Sequence, residues 1–66
     1  MKFSLQDKQD EIDTIIFNTR AWLASFGDGP KKRPQHEIDV KQRRLDVLKE
    51  VRDDYEIAIE RKRGAA

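Results

Sequence analysis

The run Gly27-Asp28-Gly29-Pro30-Lys31-Lys32-Arg33-Pro34 decides the fold of this chain. It holds both prolines and two of the three glycines, and the third glycine, Gly64, lies near the end. Gly and Pro are the strongest local breakers of regular structure, and the long stretches on either side of this run lack both. The pattern reads as helix, turn, helix, tail. Its boundaries are a first helix over about 4–26, a turn over 27–33, a second helix over about 34–63 and a frayed tail over 64–66, within one domain spanning 1–66. The expected fold class is all-α: an antiparallel helical hairpin of two long helices.

Working outward, each helix carries end signals. Ser4 suits an N-cap, and Asp7 three residues later makes an approximate capping box. Asp7, Asp10 and Glu11 put negative charge at the positive end of the first helix dipole. Gly27 is the expected left-handed residue that stops this helix. The second helix starts near Pro34 or Gln35 with no good N-cap side chain before it, and it ends on Arg61, Lys62 and Arg63, which suit the negative end of its dipole. Glu37/Lys41, Asp39/Arg43, Lys49/Asp53 and Arg52/Glu56 are opposite charges four apart, the spacing at which helical side chains meet.

The composition excludes several classes. The chain has 66 residues, so it holds one small domain at most. It contains no cysteine, which rules out a disulfide scaffold or a thiolate metal site. No apolar run approaches the ~18 residues of a membrane span. Met1 to Ser25 lacks a signal-peptide pattern, so a cytoplasmic location away from membranes is expected. With 14 Lys plus Arg against 13 Asp plus Glu, the net charge is +1, too low for whole-surface attraction to nucleic acid.

The apolar faces are broader than a lone hairpin needs. In helix 1, Leu5, Ile12, Ile15, Ile16, Trp22, Leu23 and Phe26 share one face, with Thr19 inside it. Phe17, Ala21 and Ala24 lie opposite, and from Thr14 to Phe26 the only charge is Arg20. In helix 2, Ile38, Leu45, Leu48, Val51, Tyr55, Ala58 and Ile59 form the main stripe, which Val40 and Val47 widen to about half the wheel. Two helices alone bury little surface against chain entropy. Dimerisation into an antiparallel four-helix bundle is therefore expected, with Ile15, Phe17, Ala21, Trp22, Leu23, Leu45, Leu48, Tyr55 and Ile59 as interface residues. The partner is a second copy or another helical protein.

Candidate chemistry is sparse. His36 beside Glu37 has no serine or cysteine nearby and reads as a solvated first-turn residue. Asp7, Asp10, Glu11 and Asp13 are spread around the helix and lack the spacing of a calcium loop. No catalytic, cofactor-binding or metal-ligating residue is assigned. Three basic spots are candidate nucleic-acid contacts: Lys31, Lys32 and Arg33 in the turn, Arg43 and Arg44 in helix 2, and Arg61, Lys62 and Arg63 at the end. No aromatic residues are interleaved among them for base stacking.

Two resemblances accompany this reading. Asp10-Glu11-Ile12-Asp13 followed by Arg20 resembles, over about eleven residues, the first helix of the all-helical chorismate mutases. The rest of that pattern is absent, and no catalytic residue carries over. In architecture the hairpin is similar to the Rop-type plasmid regulators, helical-hairpin dimers that bind paired RNA loops; the likeness rests on length and two helices. The expected function is a non-enzymatic, self-associating protein–protein interaction module, of the accessory or regulatory kind found in bacteria and phages. The alternative is a nucleic-acid-binding regulator using the basic clusters.

Overall fold

A computed structural model describes residues 2–64. It contains two α-helices packed against each other, α1 over Leu5–Phe26 and α2 over Gln35–Gly64. The described residues span 52 × 20 × 17 Å, the proportions of a single antiparallel hairpin. Helix α2 runs one residue beyond Arg63, and residues 65 and 66 of the expected tail lie outside the described residues.

The start of α1 is a complete capping box. Ser4 Oγ accepts from the Asp7 backbone N–H at 3.0 Å, and Asp7 Oδ2 accepts from the Ser4 backbone N–H at 3.2 Å. At the other end, the expectation for Gly27 needs correction. Its backbone is right-handed, with φ −78° and ψ −18°, and its N–H still reaches the Leu23 carbonyl at 2.8 Å. A side chain there would run into that same Leu23 carbonyl. The left-handed position comes two residues later, at Gly29 with φ +83°.

Gly29 therefore makes the reversal. The Asp28 carboxylate accepts from its N–H at 2.8 Å, and its own carbonyl accepts from Lys32 N–H at 3.1 Å across a turn with Pro30 in the second position. The Arg33 backbone N–H then bonds the Phe26 carbonyl at 2.9 Å, which clamps the two ends of the loop together. The Pro34 carbonyl accepts from Glu37 and Ile38 N–H at 3.0 and 3.3 Å, so Pro34 sits just ahead of α2 as its cap.

Between the helices runs one heptad seam. On α1 it is Leu5, Gln9, Ile12, Ile16, Thr19, Leu23 and Phe26, all buried or half-buried. On α2 it is built around Ile38, Leu45, Leu48, Tyr55 and Ile59. Among the described residues, Ile16, Thr19 and Leu45 are the three that are buried. The Thr19 hydroxyl is satisfied within its own helix, donating to the Ile15 carbonyl at 2.7 Å.

Replacing Gly29 with Ala forces a Cβ into the left-handed region, with no nearby atom to blame for a clash. The expected loss is about 1–2 kcal/mol, read as a lower urea midpoint with an unchanged slope.

Candidate interaction face

Two cross-helix contacts and one shared groove mark the register. Arg52 of α2 pairs with Asp13 of α1 through an Nε–carboxylate ion pair. Lys41 lies over the ring of Trp22, its ammonium 5.2 Å from the centroid. Ile12 and Tyr55 line one groove at the open end of the hairpin. Trp22 also packs on Phe26, with ring centroids 5.4 Å apart and planes tilted by 51°.

These contacts sort the outer residues into two sides. Trp22 and Val40 line a common groove at the turn end, beside Phe26, His36 and Lys41. Lys8, Glu11, Ile12 and Tyr55 line the groove at the open end. Ile15 lies seven residues before Trp22, and Val47 lies seven after Val40, so each falls on the same flank as its mate. Val51 and Ala58 continue that flank of α2 and are half-buried. Ile15, Trp22, Val40, Val47, Val51 and Ala58 thus form one apolar side, called here the Trp22 face. Ile15, Val40 and Val47 are 45%, 55% and 49% exposed.

Phe17 stands two residues from Ile15, about 200° around the helix, and projects from the other side. It is 71% exposed, and its neighbours at helical spacing, Ala21 and Ala24, are exposed too. The same side of α2 presents Asp46, Lys49, Asp53, Glu56 and Glu60, all exposed. The interface residues named from sequence are therefore distributed over three places. Leu23, Leu45, Leu48, Tyr55 and Ile59 belong to the hairpin's own seam, Ile15 and Trp22 to the Trp22 face, and Phe17 and Ala21 to the opposite side.

Among the described residues, none of the four expected charge pairs forms within α2, and members of three of them take other partners. Glu37 turns from Lys41 to Arg33, which reaches it twice, Nε to Oε2 at 2.8 Å and a terminal nitrogen to Oε1 at 3.2 Å. The planar guanidinium matches a carboxylate two-pronged, which a lysine cannot do. Lys41 is left to cover Trp22. Arg52 crosses to Asp13 rather than pairing with Glu56, and Asp39 accepts from Gln35 Nε2 at 2.9 Å. Among the described residues, Lys49 and Asp53 form no ion pair.

The basic candidates do not converge on one surface. Lys31, Lys32 and Arg33 sit at the turn pole and Arg61, Lys62 and Arg63 at the opposite pole, with Arg43 and Arg44 on α2 between them; all are exposed. Arg33 is already engaged by Glu37. No group of three or more His, Asp or Glu side chains is placed to hold a metal ion among the described residues. No helix among them is long and apolar enough to cross a membrane. The chain matches no protein family, no curated protein and no solved structure.

The hydrogen bonds and charge of Arg33 hold the Glu37 carboxyl below the usual carboxylate range. A depressed native value stabilises the fold above the unfolded value, and that stability is lost as pH falls through the native one. Wild type should melt above Glu37→Gln at neutral pH, and the two melting curves should converge as pH drops through and below the normal carboxylate range. Added salt should narrow the gap at neutral pH, because the pair is solvent-exposed.

Proposed function

We propose that this protein is a non-enzymatic helical hairpin that works by protein–protein contact, pairing with a second copy through the Trp22 face to make a four-helix bundle. The carrying observation is the sidedness of the hairpin. One broad side is lined by Ile15, Trp22, Val40, Val47 and Val51, whereas the other side of α2 is mostly solvated charge, with the exposed Ile57 as its one large apolar residue. Valine is a mediocre helix former, because its branched Cβ crowds the preceding turn. Three valines on one outer stripe of α2 are better accounted for by packing than by helix propensity.

The dimensions suit such a role. A face of 52 by 20 Å has a footprint of about 1,000 Å², above the ~800 Å² per partner that stable complexes bury. In this arrangement Trp22 and Ile15 lie within the contact, beside the valines of α2. Phe17 and Ala21 remain on the outer wall of the bundle, and the hairpin seam around Ile16 and Leu45 becomes one side of a larger core.

Sedimentation equilibrium across a concentration series tests this reading. Wild type should dimerise, and Val47→Glu should weaken the dimer roughly 100-fold by placing a charge in the contact. Phe17→Glu should leave association unchanged. A folded wild type that stays monomeric, or a dimer broken by Phe17→Glu and not by Val47→Glu, would sink the proposal.

A further inference from the structure

We infer that the second copy docks antiparallel, α2 against α2, about a two-fold axis level with residue 49, so that Arg44 of each chain meets the partner's Asp54. This deepens the pairing proposed above and rests on it.

The outer stripe of α2 is Val40, Arg44, Val47, Val51, Asp54 and Ala58. Its spacing alternates four and three, a second heptad seam about 100° around the helix from the one that α1 covers. Its order has a property that sequence composition hides. Read from either end, it runs small apolar, charge, valine, valine, charge, small apolar. Reversal exchanges the cation with the anion. A two-fold contact must be self-complementary: if residue i touches residue j on the partner, then j touches i. Reversed about residue 49, this seam sets Val47 on the partner's Val51, Val40 on the partner's Ala58 and Arg44 on the partner's Asp54. A parallel contact instead sets Arg44 on the partner's Arg44 and Asp54 on the partner's Asp54, with like charges opposed twice. Among the described residues, neither Arg44 nor Asp54 forms an ion pair within the single hairpin.

Helix α1 is compatible with the same axis. Its flank on the same side is Lys8, Glu11, Ile15, Asn18, Trp22 and Ser25, again spaced three and four. That flank is symmetric about a level between Ile16 and Phe17. Counting three residues along each chain from the Asp13–Arg52 pair brings Ile16 level with Lys49. The axis that reverses the stripe of α2 onto itself therefore also superposes the positions of the α1 flank, setting Ile15 on the partner's Asn18 and Lys8 on the partner's Ser25. Glu11 then faces the partner's Trp22, the ring that Lys41 covers, so an anion approaches a cation there as well.

Charge reversal tests the arrangement. By sedimentation equilibrium at low salt, Arg44→Asp and Asp54→Arg should each weaken the dimer at least roughly tenfold, since each creates two like-charge contacts; the double variant should recover to within about threefold of wild type. Both residues are exposed in the hairpin, so circular dichroism should show unchanged helix content in all three variants. The chain has no cysteine, so a spin label on Lys31→Cys gives the orientation directly. Labels in the dimer should lie about 50 Å apart if antiparallel, against roughly 20 Å if parallel. A dimer with close labels, or with single reversals that are silent, overturns the antiparallel seam and leaves self-association standing. A monomeric wild type overturns both.

Discussion

Ile16 and Leu45 are the only apolar side chains that the hairpin buries among the described residues, at 6% and 5% exposure. Two helices touch along one line, so each can hide only a narrow stripe, and no side chain is enclosed completely. The rest of the structure depends on keeping that line in register. The Gly29 reversal and the Arg33–Phe26 backbone bond set where α2 starts relative to where α1 ends. The Asp13–Arg52 pair and Lys41 on Trp22 then hold the helices level farther along. Exposed ion pairs of this kind contribute little to stability. Their value is positional, because a slip of one turn would separate both contacts. Thr19 fits the same logic: a buried hydroxyl bonded to its own helix fills the seam without needing a partner across it.

Much of this was legible from local chemistry. One internal run of breakers gave two helices, and Ser4 with Asp7 gave the first cap, because turns and caps depend on a few adjacent residues. What escaped the sequence depends on three-dimensional placement. Two glycines flank Asp28, and sequence alone favoured Gly27 as the left-handed one; the backbone continues helically through Gly27 and reverses at Gly29. The charged residues were matched by spacing within α2, yet Arg52 found a carboxylate on the other helix and Glu37 a two-pronged guanidinium before the helix begins. Fixed spacing names the neighbours a side chain can reach within its helix and says nothing of competitors outside it.

The sidedness of the molecule was hidden for a related reason. A helical wheel gives each residue an angle within its own helix. Which flank of α1 adjoins which flank of α2 depends on the hand of the turn between them. Only with Trp22 and Val40 lining one groove, and Ile12 and Tyr55 another, does Phe17 separate from Trp22. The apolar surplus of α1 then divides into an outer patch of one aromatic and small residues, and a flank continuous with the valines of α2.

That division gives the charge balance a different meaning. A net charge of +1 says little about partners, because the charges are sorted by side rather than by sign. Beside Phe17, the α2 surface carries Asp46, Lys49, Asp53, Glu56 and Glu60, which surround the exposed Ile57 and keep that side wetted. On the Trp22 face, Arg44 and Asp54 interrupt a valine stripe and stand ten residues apart. Charges within an apolar seam add little to its strength, since desolvation offsets most of their attraction. They discriminate instead among the ways the seam can be covered, as single polar residues do in coiled coils. One cation and one anion, placed symmetrically about the level where α1 and α2 share a midpoint, make such a seam selective for its own reverse.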